Sequence, residues 1–201
     1  MTKKQIALLI VALCFYGNIL SAEVVDKVVA VVGSDIITLS DVNKFKSQKN
    51  SQLKKNFSIG TSYSTNTTDV LQALIEQKLV DQEIERLQIT ASPEDTSSAI
   101  QEVLHRNKAS LDELKAELSK KGTSFEKYKL ELTDQIKHMK FMGQVIYPRI
   151  KISEGELAKK AANSTDEARF QARVKILEER SPEELEKYIN EVRAKTLVEI
   201  K

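Results

Sequence analysis

His105, His138 and Cys14 are the residues of this chain best suited to general-base, metal or thiolate chemistry. The two histidines fall on different predicted helices. Neither sits in an HExxH pattern or beside a carboxylate at metal-binding spacing, and no Gly-rich phosphate loop accompanies them. Each is read as a surface or helix-packing residue. Cys14 lies inside an apolar run and follows Leu13, which is not the small residue a lipidation site needs. The 29 carboxylates mostly alternate with lysines, as in Glu113-Lys115-Glu117 and Glu183–Lys187. That is the pattern of a solvated helix face. The expected catalytic, cofactor-binding and metal-ligating residues are therefore none, and no cofactor is implied.

What remains is apolar contact chemistry. Phe125, Tyr128, Leu132, Ile136, Met139, Gly143 and Ile146 recur at spacings of three and four, which predicts one face of a helix about six turns long, stopped by Pro148. Leu130, Phe141 and Val145 lie off that face, and Met142 lies on its margin. The C-terminal half of the helix is thus apolar on two sides. Two readings fit: a central helix packed on both faces, or an open groove for another polypeptide, where flexible Met suits varied partners. Leu130, Phe141, Met142 and Val145 are the candidate client-binding residues on the second reading.

The elements that must position this helix have legible boundaries. Val24–Val32 is dense in β-branched residues, and Gly33-Ser34-Asp35 separates it from Ile36–Leu39, so two short strands around a turn are expected. Ser40-Asp41 opens a helix expected to reach about Lys55, and Asn56–Thr68 reads as a loop. Asp69–Gln88 follows as a helix. Ser92-Pro93-Glu94-Asp95, Ser110–Glu113, Thr123–Glu126, Ser153–Glu156, Ser164–Glu167 and Ser181–Glu184 each carry helix-start signals. Thr196–Ile200 again favours a strand. Strands this short do not stand alone, so the C-terminal strand is expected to pair with the N-terminal two. The fold class is mainly α with a small β-sheet.

Composition narrows the function. The chain has 201 residues, 30% charged and 41% hydrophobic, with 6 Gly and 3 Pro, too few for an all-β sandwich. Aromatics make up 5% and Trp is absent, which argues against a base-stacking platform for single strands. Lys3 and Lys4, the apolar Ile6–Tyr16, Gly17-Asn18 and the small Ala22 read as a secretory signal peptide over residues 1–22. Eleven apolar residues are too few to span a bilayer, which takes about 20. The formal charge is +2, and losing the two signal lysines leaves 2 minus 2, or zero. A neutral chain is not built to neutralise phosphates, so no nucleic-acid partner is expected. Nor is stable membrane insertion after signal cleavage.

Val24–Val32 followed by Ser40-Asp41-Val42 resembles the opening of the SurA-like periplasmic chaperones. The resemblance continues through Leu74–Leu79, Ser124–Tyr128 and Tyr147–Leu157. In the tail it includes Ser181, Glu183, Glu184, Tyr188-Ile189, Glu191, Arg193-Ala194, Val198 and Ile200. It implies a mostly helical core with interlocked N- and C-terminal segments, in the periplasm. It also implies ATP-independent holding of unfolded outer-membrane or secreted polypeptides. Members of this family typically carry one or two parvulin-type prolyl isomerase domains, of about a hundred residues each. Here Leu157 leads almost directly into the C-terminal segment, and no two glycines are adjacent as the parvulin motif requires. The expectation is a single chaperone core over residues 23–201 that is not an enzyme. The alternatives are an adaptor subunit with one fixed partner, or a divergent prolyl isomerase.

Overall fold

The computed structural model describes residues 26–47, 66–161 and 165–201. The expected signal peptide, the expected helix beyond Ser47 and most of the expected loop before Thr68 lie outside them.

The chain ends meet in one sheet. β1 (Val28–Val32) and β2 (Asp35–Thr38) form an antiparallel hairpin, and β3 (Val198–Ile200) pairs antiparallel with the other side of β1. The strand order is β2-β1-β3. Gly33 turns the hairpin with φ at +57°, where a Cβ is strained, and its N–H donates to Leu197 O at 2.8 Å. A bulge at Val29 interrupts the β1–β2 register. Ala30, Val32 and Ile37 turn inward and are buried.

Seven α-helices lie between and around these strands in the described residues. They are α1 (Leu39–Ser47), α2 (Thr67–Arg86), α3 (Pro93–Asn107), α4 (Leu111–Lys120), α5 (Phe125–Phe141), α6 (Glu154–Lys160) and α7 (Asp166–Arg193). The main core joins the sheet's inner face to α2, the end of α5 and the second half of α7. The central helix is α2, not α5. It buries Val70, Ala73, Ile75, Leu79, Val80 and Ile84, more than one face of a helix. A smaller cluster of Leu157, Ala172 and Ile176 ties α6 to the first half of α7.

Most predicted helix starts are observed. Ser92 and Ser110 form capping boxes with Asp95 and Glu113, and Ser153 caps α6. Two starts move by one residue: Ser124 rather than Thr123 caps α5, and Thr165 caps α7, while Ser164 lies outside the described residues. A third start is corrected outright. Ser181-Pro182 opens no helix, because α7 runs unbroken through Pro182. Proline there denies the Glu178 carbonyl its donor and costs about 3 kcal/mol or more. Packing on both sides holds the helix together through it. Ile176 is fully buried before the proline and Leu185, Tyr188 and Ile189 after it, and Arg180 donates to Lys151 O at 2.8 Å between them.

The regular helix α5 also ends earlier than its apolar period suggests. Met142–Ile146 is a π-helical turn and Tyr147–Arg149 a 3-10 turn. The buried residues along this stretch are Leu132, Ile136, Phe141 and Ile146, at spacings of four, five and five. A π turn adds a residue per turn and rotates the face that meets the core. Met139, assigned by period to the inner stripe, is 63% exposed, and Phe141 takes the inward place.

Deleting residues 197–201 strips β1 of one partner and leaves the backbone groups of Val29, Val31 and Gly33 without their bonds. The expected outcome is loss of a cooperative thermal transition, read by circular dichroism, rather than a frayed tail with an unchanged melt.

Candidate polypeptide-binding surface

The four candidate residues do not share a surface. Phe141 is 1% exposed, and its ring stands edge-on to Tyr188 with centroids 5.6 Å apart. It is a core residue, which corrects its placement on an open groove; the body end of α5 meets the main core on the side where Tyr188 stands, a contact the apolar period alone does not reveal. Met142 and Val145 are half-buried against the same core. Leu130 is 68% exposed, three turns back along α5.

The open apolar surface lies elsewhere, on an arm made of α3, α4 and the first half of α5. α4 buries no residue at all. Leu114 and Leu118 of α4, Ile100, Val103 and Leu104 of α3, and Phe125 and Tyr128 of α5 are each only half-buried. Lys115 Nζ stands 5.3 Å from the Phe125 ring centroid, so even the seam between α4 and α5 is partly wet. Leu111 is exposed at the start of α4. Leu130 and Met139 are nine residues apart, half a turn out of phase, so they face opposite sides of α5. The arm therefore presents apolar side chains around its girth rather than in one slot. Sequence reasoning sought the surface at the end of α5. The available signal was instead the low apolar content of α4, whose charged faces leave little to bury.

The arm's root is polar. Lys140 Nζ reaches Asp95 Oδ2 at 2.5 Å and Thr90 O at 3.1 Å. The Thr96 and Thr133 hydroxyls lie 3.1 Å apart. His138 Nε2 meets Asp81 Oδ1 at 2.8 Å, which ties α5 to α2. His138 is thus a packing residue, and His105 is exposed. The Lys140 ammonium and the Ser92 N–H hold the Asp95 carboxyl below the usual range. Among the described residues no group of three or more His, Cys, Asp or Glu side chains could hold a metal ion.

A second polar contact fastens α2 to α7. Glu83 on α2 is buried and accepts from Arg86 Nε and Nη2 at 2.8 and 2.7 Å and from Tyr188 Oη at 2.5 Å. Arg149 lies over the other side of the Tyr188 ring, 5.1 Å from its centroid, and pairs with Glu184 and Glu191. The Arg86 hydrogen bonds hold the Glu83 carboxyl low against the opposing effect of burial, with help from Tyr188. Burial, with the Glu83 charge, pushes the Tyr188 hydroxyl up.

These features define a class: a mostly helical scaffold, closed by a sheet from both chain ends and carrying a thinly packed arm. The same fold is seen in a solved SurA-like chaperone of Campylobacter jejuni, from the related pair PEB4 and the periplasmic protein Cj1289. The TM-score is 0.62 at 13% identity, over 88% of this chain and 99% of that one. The chain belongs to the SurA family, since residues 25–141 match the family model described as the SurA N-terminal domain. The chaperone SurA of Bordetella pertussis is 30% identical over 137 residues, which are 68% of this chain and 26% of that protein. SurA of Vibrio vulnificus is 25% identical over 95% of this chain and 45% of its own length. The chain thus spans from about a quarter to under half the length of these relatives.

Two outcomes follow from the placements. Phe141→Ala should cost about 3–5 kcal/mol in a denaturant melt, whereas Leu130→Ala should stay within about 0.5 kcal/mol of the parent. Glu83→Gln should cost about 1–3 kcal/mol at neutral pH by removing a charged acceptor from two partners. The native Glu83 carboxyl titrates below its unfolded value. Its contribution is therefore full above the ordinary carboxylate range and is lost as pH falls through the lowered native value. The gap between parent and Glu83→Gln should accordingly narrow in melts below about pH 4.

Proposed function

We infer that this chain is an ATP-independent periplasmic holdase, which binds unfolded outer-membrane or secreted polypeptides on the apolar surface of the arm. The observation that carries the reading is α4: a helix with no buried residue, beside α3 and α5 side chains that stay half-open to water. Neighbouring apolar groups left partly open to water in this way are what a polypeptide-binding surface offers. Each contact with a client is small, so many weak contacts give binding that is broad and readily released. Leu130 is the candidate residue best placed for such contact, and Met142 and Val145 lie at the core's margin. Residues 1–22 act as a cleavable export signal and residues 23–201 as one chaperone core without isomerase activity.

The test is aggregation of an outer-membrane β-barrel protein diluted from urea, followed by light scattering without nucleotide. Equimolar protein should suppress scattering. Leu114→Ser with Leu130→Ser should weaken client binding by one to a few decades while the thermal melt holds. Each apolar contact is worth about 1.5–3 kcal/mol at most, and about 1.4 kcal/mol is one decade. Scattering unaffected by the protein, or turnover of a proline tetrapeptide well above the uncatalysed rate, would overturn this reading.

A further inference from the structure

α7 belongs to two cores. Before Pro182 it buries Ala172 and Ile176 against Leu157 of α6, with Ile152 and Ala161 at the margin. After Pro182, its Leu185, Tyr188 and Ile189 join the main core with the sheet, α2 and the end of α5. The two cores share no residue. The polar contacts divide at the same point. From the first half of α7, Arg169 pairs with Glu154, Glu179 with Lys160 and Arg180 with Glu156, all on α6. From the second half, Glu184 and Glu191 pair with Arg149, and Tyr188 donates to Glu83. α6 and the first half of α7 thus form a small unit, packed and paired within itself.

Two stretches of chain connect this unit to the body, and both are weak where they cross. One is residues 150–152, an irregular segment between the 3-10 turn and Ser153, the cap of α6. The other is α7 itself at Pro182, which offers the Glu178 carbonyl no amide donor. Two arginines bracket the crossing. Arg149, just before the irregular segment, is fastened to the body half of α7 through Glu184 and Glu191. Arg180, just before the proline, donates to Lys151 O at 2.8 Å and to Glu156 Oε1 at 2.5 Å, on the other side. Between the two clasps stand Ile150 in one stretch and residues 181–183 in the other. A hinge is a few such residues between two separately packed bodies, and proline is where helices bend.

We propose that α6 and the first half of α7 swing as one unit about this crossing, with Pro182 as the flexible turn and Arg180 as the clamp that limits the swing. The motion carries Phe170, which is 58% exposed on the first half of α7. It therefore varies the spacing between that apolar side chain and the arm of α3, α4 and α5. The hinge stands on the division of the cores and of the polar contacts, and it is independent of the holdase reading.

The test is a spin-label distance measurement by double electron–electron resonance on the full chain carrying Cys14→Ser. Glu85→Cys with Arg173→Cys reports across the crossing. Lys159→Cys with Arg173→Cys reports within the unit, and Glu85→Cys with Asn190→Cys within the body. All four positions are exposed. The crossing pair should give a distance distribution about twofold wider than either control. Pro182→Ala returns an amide donor to the Glu178 carbonyl and should narrow that distribution to the width of the controls. Arg180→Ala should widen it further while both controls and the thermal melt hold. A crossing pair as narrow as the controls in the parent, or a width that Pro182→Ala leaves unchanged, would overturn the hinge. A width unmoved by Arg180→Ala would overturn the clamp, and a within-unit control as wide as the crossing pair would overturn the single unit.

Discussion

β1 is five residues long and is paired on both sides, by β2 from its own hairpin and by β3 from the far end of the chain. Everything else hangs on that shared strand. Three short strands have no stability alone, and the sheet's inner face is covered by α2, on which α7 packs in turn. The Glu83–Tyr188 contact joins these same two helices across 105 residues of sequence. A buried carboxylate is costly unless every strong partner is present. Here one partner comes from its own helix and the other from the C-terminal segment. The sheet thus joins the first segment to the last, and the contact joins the last segment to the central helix.

With the ends locked together, the middle of the chain is free to project. α3, α4 and most of α5 leave the body and return to it through the π turn at Met142–Ile146. That turn is the hinge between two packing regimes. On the body side, Phe141 and Ile146 are fully buried. On the arm side, only Thr96, Leu132 and Ile136 are buried, and none of them fully. A π turn is a costly local geometry, and it is retained here where it rotates a helix's inner face by the amount the core needs.

The arm's construction suits weak, varied binding. Directional contacts at its root, Lys140 to Asp95 and His138 to Asp81, hold its orientation without consuming apolar surface. The apolar side chains nearer its tip are half-solvated and so remain available. Hydrophobic contact is non-directional, so on the holdase proposal such a surface would accept many sequences at modest affinity.

Much of this was legible in the residues. β-branched runs at both ends and the need of short strands for partners led to the closed sheet. Ser92-Pro93 and Ser110–Glu113 marked their helices because capping is a local reaction between side chain and adjacent backbone, written within four residues. Family membership was likewise readable from ordered matches along the chain. Other features depended on contacts between distant segments. Pro182 looks like a helix start to local rules, and only the packing of Ile176 and Leu185 on either side keeps α7 continuous. Phe141 looks surplus to a 3.6-residue period, and only the packing against Tyr188 shows that its side of the helix is buried. The Glu83 carboxylate looks like one more surface charge until Tyr188 arrives. Where elements begin and what they are made of can be read from neighbouring residues, since those energies are local. Which face each element buries emerges only on folding, because that energy belongs to pairs of segments far apart in the chain.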